Sequence, residues 1–254
     1  MYAKHSKLQN VNSLVDAVFV LSVRSFTDRI EHVRAELARH AIEFEFVFEF
    51  DVNAIPDELL QRRFAPSDMQ PGHQSLVLKH LHTWQLALER KLERVLVFED
   101  DVVLADDFVP RFAAAMAAAD ALSGAYLIYL GRGNNQHVGQ RGPDRLIEGS
   151  LLPATDALVF NRAAAERRLE YLATRRITRP SDWLTRETDA AVGVPHYWLA
   201  QPIVEQGSMN GKFTSVLDTK RRWRGRTYAR LRYRWDAWWK KLRRDLRTHP
   251  ERPR

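Results

Sequence analysis

Short apolar runs alternate along this chain with segments whose apolar positions recur every three or four residues. The runs are rich in Val, Ile, Phe and Tyr, as buried strands usually are. The segments between them have the spacing of amphipathic helices, as with Val77, Leu81, Trp84 and Leu88. Strands that alternate with helices predict an α/β fold, a sheet flanked by helices.

The predicted elements follow from these runs and from the residues that punctuate them. The predicted strands cover residues 17–23, 44–50, 95–104, 125–131, 151–160 and 197–204. Five helices are predicted: one after Thr27, one over 74–91, one from Asp106 or Asp107 to about 122, one over 163–175 and one that begins at Asp182. Thr27, Asn161 and Ser181 are the expected N-caps. Residues 51–72 and 132–149 are expected loops, because Pro, Gly and Asn interrupt them.

The third predicted strand carries consecutive acids, Glu99, Asp100 and Asp101. A buried carboxylate costs several kcal/mol unless it is paired. Acids at the end of an apolar run therefore indicate a site that needs negative charge, most simply for a divalent cation. Alternate side chains of an extended segment point the same way, so we expect Glu99 and Asp101 to bind Mn²⁺ or Mg²⁺ together. A solvated acidic turn after a strand explains the same pattern.

Charge is distributed unevenly along the chain. Residues 219–254 hold 15 Lys or Arg and 3 Asp or Glu, a net +12, whereas the whole chain carries +7. Residues 1–218 therefore carry −5, as a slightly acidic globular domain. Such asymmetry predicts a polyanionic partner for the tail. The chain has no cysteine, which excludes disulfides and thiolate zinc sites. Residues 1–12 are polar, and no apolar run has the length of a membrane span, so we expect a cytoplasmic protein.

The tail combines its basic charge with an apolar stripe at helical spacing. The stripe consists of Tyr228, Leu231, Trp235, Trp238, Trp239, Leu242 and Leu246. A basic helix with an aromatic face is typical of proteins that lie on an anionic membrane surface. We therefore expect residues 220–247 to dock on the inner face of the cytoplasmic membrane. A helix packed on the parent domain and an Arg-rich nucleic-acid-binding segment are the alternatives, and no nucleic acid is expected.

The order of several segments resembles glycosyltransferase family 25, the lipopolysaccharide-type sugar transferases of bacteria. The matching segments are 19–24 with Asp28-Arg29, Gly72 with 79–84, 98–102, 129–131, 180–182 and 201–208. The match covers roughly residues 15–215. Two positions depart from the family pattern: Lys79 stands where a Ser is usual, and Arg29 is followed by Ile30 where an Arg pair is common.

The resemblance implies a GT-A-like fold over residues 1–218, with a UDP-sugar as donor and Mn²⁺ or Mg²⁺ as cofactor. It implies inverting transfer of a hexose, such as galactose, to a saccharide or lipid-linked acceptor. Binding at the carboxyl ends of strands, where Glu99–Asp101 are expected, agrees with this. A bound cation would also stabilise the charge on a diphosphate leaving group.

Several further residues are candidates for the site. Asp182 is the leading candidate for the general base, although an acceptor-hydroxyl ligand or a simple helix-start acid fits the same position. Glu205 is its rival. The expected donor-binding residues are Arg24, Arg29, His80, Asp100, Asn134 and Asn135. For these the alternatives are a core histidine, solvated arginines and turn-forming asparagines.

A second function from a different class stays open at this point. A non-catalytic membrane- or nucleic-acid-binding protein with a relic α/β domain would also carry the basic tail. The run Glu99–Asp101 favours the enzyme, because a relic has no use for clustered acids at a strand end.

Overall fold

The computed structural model describes residues 10–132, 145–149 and 154–210, together with Trp235. Its strands are β1 Ala17–Leu21, β2 Glu45–Val47, β3 Arg94–Glu99, β4 Val102–Leu104, β5 Leu127–Tyr129, β6 Leu146–Glu148, β7 Ala157–Asn161, β8 His196–Leu199 and β9 Val204–Gln206. Its helices are α1 Thr27–Ala38, α2 Asp57–Arg63, α3 Pro71–Glu89, α4 Phe108–Ala119, α5 Arg162–Leu172, α6 Ser181–Val192 and α7 Gly207–Asn210. A 3₁₀ turn at Val11–Ser13 precedes β1.

A seven-stranded sheet in the order β2-β1-β3-β7-β5-β8-β6 forms the centre of the molecule. Strands β2, β1 and β3 are mutually parallel, as are β5 and β8, while β7 and β6 run antiparallel to their neighbours. A separate antiparallel ribbon joins β4 to β9. The predicted α/β class, with a sheet flanked by helices, is confirmed.

Both faces of the central sheet are buried, which explains why its strands are continuous apolar runs. On one face Val18, Val20, Leu96 and Phe98 pack in a core with side chains of α1 and α4. On the other face Phe19, Leu21, Val95 and Val97 pack in a core with side chains of α3, α5 and α6. Because successive side chains of a strand point to opposite faces, one set of strand residues faces α3 and α6 and the other set faces α1 and α4.

A buried ion pair joins α5 to α6. Arg168 donates to both carboxylate oxygens of Asp189 at 2.6 Å, and His196 Nε2 lies 2.7 Å from Asp189 Oδ2. The arginine side chain is 1% exposed and that of Asp189 is not exposed at all. Because removing one partner would leave a buried charge uncompensated, this contact fixes the position of α6 against α5 and β8.

The structure corrects several predicted boundaries. Thr27 and Ser181 are the first residues of α1 and α6, and Phe26 and Pro180 occupy the cap positions. Asn161 does cap α5, since its side chain accepts the amide of Ala164. Residues 95–104 and 197–204 are not single strands. Each segment is interrupted, and its second part enters the β4–β9 ribbon.

Two expected loops contain regular structure. Residues 51–72 include α2, and residues 132–149 include β6 at the edge of the sheet. Helix α2 has no buried residue, so the usual apolar signal is weak there. Within the described residues no helix is long and apolar enough to cross a membrane. The predicted tail helix and the boundary at residue 218 lie outside the described residues, apart from Trp235.

Candidate active site

A pocket of about 310 Å³ opens at the carboxyl ends of β1 and β3. Part of its wall is apolar and part is acidic or polar. The apolar part comprises Leu21, Val23, Phe26, Val52, Pro71 and Leu76. The acidic and polar part includes Glu99, Asp100, Asp101, Gln206 and Ser208, with Arg29 and Lys79 as the basic residues. The acidic run Glu99–Asp101 therefore lines a cavity and is not a solvated turn.

The acidic run does not continue as an extended strand. Strand β3 ends at Glu99, and Asp100 and Asp101 form a turn before β4 begins at Val102. The expected alternation of side chains therefore stops at Glu99. All the acids of the run still line the pocket, because the turn brings Asp100 and Asp101 to the same edge.

Asp100 is the anchor of this turn. Its Oδ2 accepts a hydrogen bond from Ser22 Oγ at 2.7 Å, and its Oδ1 accepts one from Arg29 at 2.8 Å. Burial raises the pKa of the Asp100 carboxyl, and the Arg29 guanidinium opposes that rise. Because both of its oxygens already have partners, Asp100 ties β3 to β1 and α1.

Asp101 is held by the other side of the site. Its carbonyl accepts the amide of Gly207 at 2.6 Å, and its Oδ2 accepts the amide of Ser208 at 3.0 Å. The β4–β9 ribbon places these amides there, since Val102 pairs with Gln206. Its Oδ1 is buried and has no hydrogen-bond partner among the described residues.

Glu99 and Asp182 are linked by one hydroxyl group. Thr155 Oγ1 lies 3.1 Å from Glu99 Oε1, 3.0 Å from Asp182 Oδ1 and 3.1 Å from Ser181 Oγ. A hydroxyl has a single hydrogen to donate, so it cannot donate to both carboxylates at once. The second carboxyl can complete the contact only by carrying a proton itself.

The electrostatics of these carboxyls agree with proton sharing. Burial raises the pKa of Glu99 well above its usual range, and the charges of Asp101, Asp156 and Asp182 raise it further. Burial also raises the pKa of Asp182, against the hydrogen bond from Thr155. The site therefore holds more negative charge than its surroundings stabilise, which favours binding of protons or cations.

Asp156 is a buried acid that the sequence reasoning missed. It precedes β7, whose antiparallel direction brings its first residues to the same edge as the end of β3. Burial, and then the charge of Asp101, raise the pKa of Asp156 to about 8. Its Oδ1 is buried without a partner among the described residues. An acid next to the apolar run 157–160 is a visible signal, but only the strand direction shows where it lies.

Gly131 leaves room for this carboxylate. A Cβ atom at position 131 would lie 2.7 Å from Asp156 Oδ1 and would overlap the rest of the carboxyl group. Any larger residue at Gly131 would therefore displace Asp156. The close approach explains why a glycine stands two residues after the end of β5.

Lys79 is almost completely buried, with a side chain that is 3% exposed. Its ammonium group donates to Asp51 Oδ1 at 2.8 Å, to the Glu49 carbonyl at 2.7 Å and to the Val47 carbonyl at 3.2 Å. Burial lowers the pKa of Lys79, and Asp51 opposes that shift. Lys79, which stands where the family usually has Ser, therefore fixes the loop after β2 to α3.

Of the other predicted donor-binding residues, Arg24 and His80 do not line the pocket. Arg24 is exposed, and its guanidinium lies 4.4 Å from the centre of the Phe48 ring. His80 is buried in the core beneath α3, where desolvation and the charge of Arg168 lower its pKa to about 3. Asn134 and Asn135 lie outside the described residues.

Glu205 lies on the other face of the β4–β9 ribbon from the pocket. Its neighbour Gln206 lines the pocket, and the Gln206 amide is 3.5 Å from Glu99 Oε2. Successive side chains of a strand point to opposite faces, so Glu205 points away from Glu99. This geometry favours Asp182 over Glu205 as a group that acts on a ligand in the site.

The acids suit a cation whose other ligands are oxygen atoms of a bound substrate. Among the described residues no group of three or more His, Cys, Asp or Glu side chains is arranged to hold a metal ion. Mg²⁺-type ions are, however, commonly held by one or two carboxylates together with substrate phosphates and water. The buried, unpartnered Oδ1 of Asp101 and the raised pKa of Glu99 fit such an incomplete oxygen site.

The sheet and the pocket place this protein among the open α/β proteins that bind a ligand at one edge of the sheet. An acidic pocket at the carboxyl ends of parallel strands is the usual ligand site of an open α/β protein. This chain belongs to glycosyltransferase family 25, described as a family of lipopolysaccharide biosynthesis proteins, whose model matches residues 15–141. The resemblance stated from the sequence is thereby confirmed.

Three relatives illustrate the family. The chain is 30% identical over 95 residues to a lipooligosaccharide biosynthesis protein of Haemophilus influenzae, covering 35% of each chain. It is 31% identical over 97 residues to a lacto-N-neotetraose biosynthesis glycosyltransferase of Neisseria meningitidis, covering 34% of this chain and 33% of that one. It is 32% identical over 129 residues to the human inactive glycosyltransferase 25 family member 3, covering 46% of this chain and 22% of that one. The aligned part thus spans between 22% and 35% of the length of these relatives.

The raised pKa of Asp156 predicts a pH-dependent effect of Asp156→Asn on stability. Below the ordinary aspartate pKa the Asp156 carboxyl is protonated in the folded and unfolded protein, so it does not reduce the free energy of unfolding. As the pH rises toward the raised pKa, here about 8, the unfolded protein loses this proton more readily than the folded one, and the free energy of unfolding falls. The neutral amide removes that loss. In EDTA we expect the variant to have the higher free energy of unfolding at pH 9, by more than about 1 kcal/mol, and little advantage near pH 4.

Denaturant unfolding at the two pH values measures this difference. Asp120→Asn is the matched control, because the Asp120 side chain is 68% exposed and pairs with Arg94 at the surface. It should show little change in either condition. An Asp156→Asn protein that is less stable than wild type at pH 9 would contradict the electrostatic account.

Proposed function

We propose that this protein is a metal-dependent, inverting glycosyltransferase with a GT-A-like fold. It would move a hexose, such as galactose, from a UDP-sugar to a saccharide acceptor of a cell-surface glycan, for example lipopolysaccharide. The observation that carries the proposal is a pocket lined by Glu99 and Asp101 in a family 25 chain, with Asp182 linked to Glu99 through Thr155. The names of the two bacterial relatives support a saccharide product.

The two halves of the pocket support a nucleotide-sugar donor. Val23, Phe26, Val52 and Leu76 offer an apolar surface of the kind that receives a base and ribose. The acidic half suits the cation that accompanies a diphosphate. Arg29 also lines the pocket, and it donates to Asp100. We infer that its guanidinium faces the donor phosphates, as the sequence predicts.

The proposed cofactor site uses the acids that the pocket exposes. Glu99 and Asp101 would hold Mn²⁺ or Mg²⁺, while Asp100 anchors the turn that carries Asp101. When bound, the cation stabilises the negative charge that develops on the diphosphate leaving group. The protein's own contribution is to fix Asp101 through the amides of Gly207 and Ser208 and to keep the acids away from bulk water.

Asp182 is the proposed general base. Inverting transfer needs one group to take the proton of the acceptor hydroxyl as that oxygen attacks. Thr155 and Ser181 hold the Asp182 carboxyl at the start of α6, and burial raises its pKa toward the range of an effective base. Asp182 Oδ1 lies 3.0 Å from Thr155 Oγ1, and the same hydroxyl lies 3.1 Å from Glu99 Oε1, so the base would stand next to a donor bound at Glu99.

A relic without catalytic activity is the alternative, and the human relative shows that the family contains proteins described as inactive. The acids argue against it here. A protein that no longer bound donor would gain stability by replacing Glu99, Asp101 or Asp156 with neutral residues. A direct assay of donor consumption separates the two functions.

The tail supports a proposal about location. We infer that residues 220–247 hold the protein on the inner face of the cytoplasmic membrane, near a lipid-linked acceptor. Residues 1–218 carry −5 and an anionic surface repels them, so the attraction must come from the +12 of residues 219–254. The apolar stripe with Trp235, Trp238 and Trp239 would add burial at the interface.

The donor assay predicts a metal requirement that Asp101→Asn abolishes. Wild-type protein should release nucleoside diphosphate from one nucleotide sugar in a panel, with Mn²⁺ present and not in EDTA. Asp101→Asn should lose most of this turnover while keeping its fold, because it removes one proposed ligand and relieves repulsion. Activity of wild type in EDTA equal to that in Mn²⁺ would refute the metal role, and no release from any nucleotide sugar would favour the relic.

Asp182→Asn should lower turnover far more than donor binding. Loss of a general base costs about 10²–10⁴-fold in rate, whereas donor affinity should stay within a few-fold because the base contacts the acceptor. Turnover number and nucleotide-sugar affinity are compared in both proteins. The matched variant is Glu205→Gln, whose side chain lies on the far face of the ribbon. Loss of turnover in Glu205→Gln, with near-normal turnover in Asp182→Asn, would transfer the role to Glu205.

Replacing Trp235, Trp238 and Trp239 together by Ala should release the full-length protein from anionic vesicles even at low salt. Wild type should float with phosphatidylglycerol vesicles at low salt, less so at high salt as screening increases, and not with phosphatidylcholine vesicles. Trp223→Ala, which lies outside the stripe, is the matched control. Equal flotation of wild type and the triple variant would show that the stripe does not insert into the membrane.

A further inference from the structure

Trp183 is exposed beside the proposed base. Its side chain is 43% exposed, and only Trp235 shares this property among the large hydrophobic residues of the described part of the chain. Single exposed aromatic residues are common on protein surfaces and need no explanation by themselves. The position of Trp183 is what distinguishes it, since it follows Asp182 directly in the first turn of α6.

The indole of Trp183 is paired with a guanidinium. The Arg186 Cζ atom lies 5.5 Å from the centre of the Trp183 ring, within the range of a cation–π contact. Residues three and four apart are neighbours on a helix surface, so Arg186 adjoins both Asp182 and Trp183. An apolar plane, a carboxylate and a fork of hydrogen-bond donors therefore share one patch at the start of α6.

This patch lies outside the pocket that contains Glu99 and Asp101, since neither Asp182 nor Trp183 lines that pocket. Asp182 is nevertheless linked to Glu99 of that pocket through Thr155. A molecule whose hydroxyl reaches Asp182 must come from the side that the donor leaves open, and α6 carries Trp183 and Arg186 on its surface there.

We propose that Trp183 is the platform of an acceptor-saccharide subsite, an inference that rests on the function proposed above. One face of a pyranose ring carries C–H groups that pack against an indole, while its hydroxyls remain at the ring edge. Arg186 donates hydrogen bonds to those hydroxyls, as guanidinium groups do. The proposed ligand is therefore a pyranoside with an apolar face, and not a lipid or peptide surface.

The chemistry of the patch also accounts for the cost of leaving Trp183 exposed. A large aromatic side chain contributes most to binding when a ligand covers it, because it offers wide contact area with little rotamer entropy to lose. The contact with Arg186 limits that entropy further. Trp183 should therefore affect the affinity for acceptor and not the chemical step.

The test uses full-length protein and three acceptor probes: the methyl β-glycosides of galactose, glucose and N-acetylglucosamine. Saturation-transfer NMR measures their binding, and donor consumption at saturating donor gives acceptor KM and kcat. Trp183→Ala should raise the KM of the accepted glycoside, or weaken its binding, by about 10-fold with kcat within about 2-fold. Trp183→Phe should recover most of the affinity.

Glu93→Gln is the matched control, because Glu93 is 67% exposed, pairs with Arg162 and precedes β3 at the end opposite Glu99. It should leave acceptor KM unaltered. An unchanged KM in Trp183→Ala, an equal effect in Glu93→Gln, or no glycoside binding by wild type would each overturn the proposal. Donor hydrolysis without acceptor is recorded separately. If wild type consumes no nucleotide sugar, the proposed function fails, and glycoside binding alone then decides the role of Trp183.

Discussion

The structure depends on the burial of several carboxyl groups at one edge of the sheet. Asp100 and Asp101 are 5% and 2% exposed, and Asp156 is 2% exposed. Among the described residues, only Asp100 of these three has a close cationic partner, Arg29. The raised pKa values of Glu99, Asp156 and Asp182 show that these groups are costly in their charged forms. The arrangement becomes favourable when protons or a cation supply the missing positive charge.

The surrounding fold is organised to hold this edge in place. The turn at Asp100 and Asp101 separates β3 from β4, and the β4–β9 ribbon returns Gln206 and Ser208 to the acids. Lys79 fixes the loop after β2, and the Arg168–Asp189 pair fixes α6. Each contact restricts one wall of the site, so the positions of the acids do not depend on the acids alone.

Much of the sheet could be predicted from the sequence because its strands are buried on both faces. Apolar runs identified β1, β3, β5 and β7, and Asn161 identified the start of α5. Helix α2 was missed because it buries no side chain. The breaks in 95–104 and 197–204 were missed because local pattern cannot show that a strand changes its partner.

Some acids of the site could be predicted from the sequence, and others could not. Glu99–Asp101 and Asp182 are visible as acids beside apolar or capping residues, and the structure links Asp182 to Glu99 through Thr155. Asp156 and Gly131 meet only because β7 runs antiparallel to β3 and β5, which no local signal reveals. His80 shows the opposite case, since a histidine on an apolar helix face lies in the core.

The cost of the acidic edge bears on whether this family 25 chain is an enzyme. Protein stability is a small difference between large terms, so buried acids that raise one another's pKa reduce it measurably. Neutral residues at Glu99, Asp101 and Asp156 would relieve that repulsion, and Gly131 would then be free to take a side chain. A protein used only for its basic tail has no reason to keep such a site. The buried acids, the glycine that accommodates one of them and the exposed Trp183 beside Asp182 are the features that the proposed donor, cation and acceptor would require.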